Sequence, residues 1–132
     1  MKPDSTWGYT KNLGPAINSI GWDSQPSLSH SGDTLFFASD RIGGLGFSDI
    51  YYSTKDKDGN WQKALNLGPI INTRGFEVSP FFQHKHNVLY FSSNGQPLSF
   101  GGFDILKSYK RSLTWDEPKN LGPLVNGPGS EY

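Results

Sequence analysis

The chain has no cysteine, so disulfides and thiolate metal sites are excluded. It has no excess of charge, with 12 Lys and Arg against 12 Asp and Glu. Nothing electrostatic therefore draws it to nucleic acid or to an anionic membrane. No apolar run is long enough to span a bilayer, and the opening stretch MKPDSTWGYT lacks the apolar centre of a signal peptide. Helical periodicity is absent throughout. No Ser–His–Asp order and no isolated carboxylate pair is marked out for acid–base chemistry. The expectation is accordingly no enzyme, no catalytic residues, no cofactor and no metal. What the 132 residues do hold is 16 Gly and 9 Pro beside nine Phe, six Tyr and four Trp. That composition suits one small all-β domain of short aromatic strands joined by many turns.

The chain also repeats itself, at a step of 54 residues. Trp7, Trp61 and Trp115 keep the step. So do Asn12, Asn66 and Asn120, each followed by Leu-Gly-Pro, which places Gly14, Gly68 and Gly122 and then Pro15, Pro69 and Pro123 in register. Asn18, Asn72 and Asn126 follow, and Asp23, Glu77 and Glu131 hold a carboxylate at the same phase. TLFFASD from Thr34 aligns with VLYFSSN from Val88. DIYYS at Asp49 and DILKS at Asp104 are 55 apart, so a glycine-rich loop has gained one residue, which is lost again before Trp115. Indels confined to loops are the mark of a structural repeat.

Each complete copy holds four runs of strand character, in the first copy Asp23–Ser29, Thr34–Ser39, Ser48–Thr54 and Asn60–Asn66. Leu35–Ala38 is apolar on both alternating faces, as a strand covered on both sides requires. Trp61–Leu65 is more polar, as an outer edge should be. SHSGD and DKDGN are hairpin-turn chemistry, and RIGGLG is a longer hairpin loop. NLGPIINTRG has no hairpin signature and reads as the crossing from one sheet to the next. Four antiparallel strands and then a crossover is the blade plan of a β-propeller. The 132 residues at 54 per copy make about 2.4 copies. The expected layout is a single repeat region with a partial blade at 7–22, blades at 23–76 and 77–126, and the start of another at 127–132. Such an incomplete propeller is either a piece of a longer one or a subunit that closes by association.

LFFASDRIGGLGFSDIYYS followed by GNWQKALNLGPIINT resembles the WD40-like PD40 propeller repeat. The resemblance is to the version found in envelope proteins of Bacteroidetes-type bacteria, often beside an OmpA-like peptidoglycan-binding domain, and it covers nearly the whole chain. It implies a scaffold or binding propeller of TolB-like architecture with no enzyme activity. It also implies a periplasmic or outer-membrane location and a protein or peptidoglycan-associated partner. The second copy departs from the pattern, with Asn94-Gly95 where the first has Asp40-Arg41.

Six residues stand as candidate binding groups: Asp40, Arg41, Asp49, Asp104, Asp23 and Glu77. For Asp49 and Asp104 the competing role is capping the glycine loop through backbone N–H groups. Asp23, Glu77 and Glu131 either serve the blade entrance or ring a central channel, where they would attract a cation or a basic peptide. Trp7, Trp61 and Trp115 suit packing between blades, with sugar stacking as the alternative. Asp56, Asp58 and Asn60 alternate as in a calcium loop, but Gly59 is at the fourth place where the sixth is needed. His84 and His86 are placed in a solvated turn. Three functions remain open: an interaction scaffold, a carbohydrate-binding propeller, and a unit that closes only by self-association.

Overall fold

The computed structural model describes residues 6–132; Met1–Ser5 of the N-terminal stretch lie outside the described residues. Eight strands occur in chain order: β1 Asp23–Leu28, β2 Thr34–Ser39, β3 Asp49–Thr54, β4 Leu65–Asn66, β5 Glu77–Gln83, β6 Val88–Ser93, β7 Asp104–Tyr109 and β8 Lys119–Asn120. They form two four-stranded antiparallel sheets, ordered β1-β2-β3-β4 and β5-β6-β7-β8. The fold is all-β, with two propeller-like blades and no closed barrel. Among the described residues no helix is long and apolar enough to cross a membrane.

The two central strands owe their place to composition. β2 is buried from Leu35 to Ser39, and its register with β3 runs unbroken from Thr34↔Thr54 to Ser39↔Asp49. That register sets Phe36 opposite Tyr52 and Phe37 opposite Tyr51, cross-strand aromatic pairs of the kind that stabilise sheets. The β1–β2 ladder shifts between Ser24 and Ser27, and the β5–β6 ladder between Val78 and Phe81. Each bulge holds a proline, Pro26 or Pro80, next to a residue of positive φ, Gln25 or Ser79. A proline cannot donate to a ladder, so a bulge is where a strand tolerates it.

The outer strands are shorter than the sequence suggests. Of the expected Asn60–Asn66 run only Leu65 and Asn66 pair with β3, plus an isolated bridge from Trp61 to Lys55. Gln62 still donates its N–H to Thr54 O, but beyond it the backbone leaves the sheet: the Ala64 N–H donates to Ala16 O, in the preceding copy's crossing segment. Polar side chains at Gln62 and Lys63 leave that stretch exposed.

One core cluster fills the seam between the blades: Phe36, Ile50 and Ile71 meet Leu89, Phe91 and Leu106, with Tyr52, Leu67, Phe82 and Trp115 against them. A second lies on the other face of the first blade, where Ile17 packs on Leu35, Phe37, Tyr51 and Ala64, flanked by Trp61. Trp61 and Trp115 thus pack, whereas Trp7 is 86% exposed. No strand precedes Asp23 among the described residues to receive it.

The crossing segment explains the repeated Asn-Leu-Gly-Pro. Gly68, at φ 89, takes a left-handed turn that a side chain would oppose. Its carbonyl then accepts the N–H groups of Ile71 and Asn72, closing a single turn. Asn66 Oδ1 accepts from the Gly68 N–H at 2.8 Å and from Asn72 Nδ2 at 2.8 Å. The buried Asn72 carboxamide in turn pairs with the Ile50 backbone, accepting from its N–H at 2.8 Å and donating to its carbonyl at 2.9 Å. Asn120, Gly122 and Asn126 repeat this arrangement on Ile105. At the first copy Asn12, Gly14 and Asn18 keep the turn itself.

Asn72→Ala leaves the buried Ile50 N–H without its acceptor, while the Ile50 carbonyl keeps the Leu67 N–H. The expected loss is about 2 kcal/mol, read as a lower urea midpoint at unchanged slope. Asn18→Ala, at a turn with no β3 counterpart, is expected to lose less than about 1 kcal/mol. Equal losses would contradict the assigned role.

Candidate functional site: the loop face and the seam

The carboxylates picked out by the repeat face the protein's own backbone. Asp49, 1% exposed, accepts from the Leu45 and Gly46 N–H groups and from Asn66 Nδ2. It caps the glycine loop and ties it to the crossing turn. Gly46 must be glycine there, because a Cβ would lie 2.3 Å from Thr73 O. Asp104 accepts from the Phe100 N–H and Asn120 Nδ2, but its Oδ1 is buried without a protein partner. The loop before it is the one that carries the extra residue.

Asp23 and Glu77 occupy equivalent places with opposite electrostatics. Asp23 Oδ1 accepts from Ser39 Oγ at 2.7 Å and from Arg41 at 2.6 Å, and Oδ2 accepts from the Ser19 N–H and hydroxyl. Burial pushes this carboxyl up, but the bonds from Ser39, Ser19 and Arg41 outweigh it and hold the group below its ordinary range. Arg41 is itself fixed, donating to Ile17 O at 2.6 Å and lying over the Phe37 and Tyr51 rings. Glu77 is fully buried and accepts from Ser93 Oγ and from the Thr73 N–H and hydroxyl. Gly95 stands where Arg41 does, and Gln96 Nε2 takes over the bond to the crossing carbonyl, Ile71 O. With no cation beside it among the described residues, Glu77 is pushed above its ordinary value by burial, which its three donors only partly offset, and the charge of Asp49 adds to the rise. Neither carboxylate opens freely to solvent as a channel ring requires. Asp40 accepts from the Trp22 N–H, and Asn94 accepts likewise from Phe76.

The other sequence candidates are turn residues. Asp56 Oδ1 accepts from the N–H groups of Asp58 and Asn60 within its own hairpin. His84 and His86 are exposed in the β5–β6 turn, and His84 stacks on His30 across the seam, with centroids 4.3 Å apart. Among the described residues no group of three or more His, Asp or Glu side chains is placed to hold a metal ion.

Two features assemble residues that the sequence does not bring together. The first is a row of rings on the loop face. Phe47 stacks on Phe76 at 5.3 Å, Phe76 meets Phe103 at 6.3 Å, and Phe103 meets Tyr132 edge-on at 5.3 Å. The Phe47 N–H donates to Gly75 O, and Ser48 bridges in parallel to Phe76, so the row rests on the contact between one blade's loop and the next crossing. Phe47, Phe76 and Tyr132 are exposed, as are Ile42 and Leu45 of the same β2–β3 loop. Phe76 and Phe103 stand just before repeated carboxylates in a glycine context, a signal that the 54-residue phase does not itself explain.

The second is a cleft of about 470 Å³ in the seam. Phe36, Tyr52 and Trp115 line it from the blades, Leu67, Pro69 and Ile70 from the crossing, and Lys110, Ser112, Leu113 and Thr114 from the β7–β8 turn. Trp115 packs edge-on against Phe36 and Phe82, each at 6.2 Å, so its ring is held rigidly.

No family model matches the chain, and no curated protein matches it.

The two carboxylates carry opposite pH dependences. The Asp23 contribution to stability is present above the ordinary carboxyl value of 3.8 and is lost as pH falls through its lowered folded value. The Glu77 contribution is present below 4.5 and is lost as pH rises through its raised folded value. Asp23→Asn is therefore expected to cost about 1–3 kcal/mol near pH 7 and less in acid. Glu77→Gln is expected to gain on the unsubstituted protein as pH rises from about 4 to about 7. Urea unfolding across that range checks both signs.

Proposed function

We propose that the chain is a non-catalytic, propeller-type interaction module of the bacterial cell envelope, meeting a protein or cell-wall partner on its loop face. The observation that carries this reading is the row Phe47–Phe76–Phe103–Tyr132, which spans both blades. Contiguous exposed rings of this kind are costly to leave in water and mark contact surfaces. The resemblance to PD40 repeats supplies the envelope setting and the class of partner. The tight hydrogen bonding of Asp23, Asp49 and Glu77 supports a structural part for the repeated acids.

Phe47→Ser with Phe76→Ser removes largely surface rings together with their stack, so stability is expected to fall by about 1–2 kcal/mol with the fold retained. Material captured from envelope extract, and shifts induced by soluble peptidoglycan fragments, are expected to disappear with this double variant. Capture that is absent, or unchanged by the double variant, would overturn the reading.

A second reading, closure by self-association, rests on the outer face of the first blade. Leu28 is 56% exposed at the position that Phe82 fills in the second blade, where Phe82 packs on Phe36 at 5.1 Å. Beside it a hollow of about 120 Å³ is lined by Leu13, Ile17, Pro26, Leu35 and Phe37. Light scattering is expected to give a small multiple of 14.6 kDa, moving toward that mass in Leu28→Lys. A monomer at all concentrations excludes this reading.

A further inference from the structure

The seam cleft shares no residue with the aromatic row and differs from the repeat in a direction that points to its ligand. In the first blade the corresponding turn reads Lys55-Asp56-Lys57-Asp58-Gly59-Asn60-Trp61. There Lys55 Nζ lies over the Trp61 ring, 4.9 Å from its centroid, and two aspartates accompany it. In the second blade the turn is one residue shorter, Lys110-Arg111-Ser112-Leu113-Thr114-Trp115, and contains no acid. Arg111 turns away to chelate Asp116, its Nε and Nη2 donating to both carboxylate oxygens. Lys110 keeps its place by donating its backbone N–H to Asn87 O at 2.7 Å. Among the described residues its ammonium has no carboxylate partner and lies over no ring.

The lining is therefore an apolar floor of Phe36, Tyr52 and Trp115 bordered by Lys110, Ser112, Leu113 and Thr114 of the turn. Asn66 also lines the cleft, but its carboxamide is already committed to Gly68, Asn72 and Asp49. Among the described residues no carboxylate lines the cleft. A volume of about 470 Å³ falls in the range of about 300–1,000 Å³ typical of ligand clefts. Floor rings already locked by mutual contact need little reordering on binding.

We infer that this cleft is a second binding site, distinct from the loop face, and that it takes an acidic segment of a partner protein. An aromatic or large aliphatic side chain sits on the Phe36–Tyr52–Trp115 floor, and a neighbouring carboxylate meets Lys110 and the Ser112 and Thr114 hydroxyls. Charge complementarity chooses the acid: a basic segment brings a second cation to Lys110, and a neutral one leaves that cation unanswered.

The test is a titration of the whole chain, followed by NMR, with three short peptides that share one central Trp and carry Glu, Gln or Lys flanks, and with a neutral oligosaccharide. The Glu peptide is expected to shift the side-chain resonances of Trp115 and Tyr52 and to bind tightest, more weakly as salt rises. Lys110→Gln keeps the backbone bond to Asn87 and is expected to weaken the Glu peptide roughly three- to tenfold while leaving the Gln peptide unchanged. Equal affinity for the Glu and Gln peptides, indifference to Lys110→Gln, or a response to the oligosaccharide alone each overturns the inference. None of these touches the loop-face reading, which the Phe47 and Phe76 variants test separately.

Discussion

The backbone N–H of Ile50 is satisfied by a side chain where a longer sheet would use a strand. β4 is only two residues long, so the outer edge of β3 would otherwise present open donors and acceptors beside an apolar seam. The Asn72 carboxamide supplies the acceptor for the Ile50 N–H and a second donor to its carbonyl, beside the Leu67 N–H. Because Asn72 lies in the crossing segment, this one interaction finishes one blade and fixes where the next begins. Asn66 extends the link to Asp49, and Asp49 to the glycine loop. The loop, the outer strand and the crossing thus form one polar unit, and the apolar seam of Phe36, Ile50, Ile71, Leu89 and Phe91 assembles against it.

Within that shared frame the two copies have diverged where the frame permits. The acceptor oxygens survive substitution, since Asn94 does for Phe76 what Asp40 does for Trp22. The charge does not survive. Arg41 neutralises Asp23 in the first copy, while Gly95 and Gln96 leave Glu77 with hydroxyl and amide donors alone. The β7–β8 turn loses a residue and its acids at the one place where it borders the seam. Differences of this sort leave the hydrogen-bonded turns of the repeat in place.

The blade plan was legible because it rests on local signals: alternating apolar runs, Asp-Gly and Ser-Gly turns, and a crossing marked by Gly and Pro. The register of β2 with β3 follows from two short strands and the loop between them. The length of the outer strand was not legible, because the departure at Ala64 is made by a bond to Ala16, 48 positions earlier in the chain. The repeated asparagines were visible as a pattern, but their task was not, since their partner Ile50 is 22 residues away. The aromatic row and the cleft were hidden for the same reason: each joins residues from two copies, and only the angle between the blades brings them together.

Native-state hydrogen exchange at Ile50 tests most directly whether the Asn72 carboxamide stands in for a strand at the Ile50 N–H. The amide of Ile50, and that of Ile105 held by Asn126, should exchange as slowly as the central β2 and β6 amides, through global unfolding. In Asn72→Ala the Ile50 amide should lose that protection while Ile105 keeps it. If Ile50 in the unsubstituted protein exchanges as fast as the exposed turn at Lys57, the carboxamide does not hold the edge and the account is wrong.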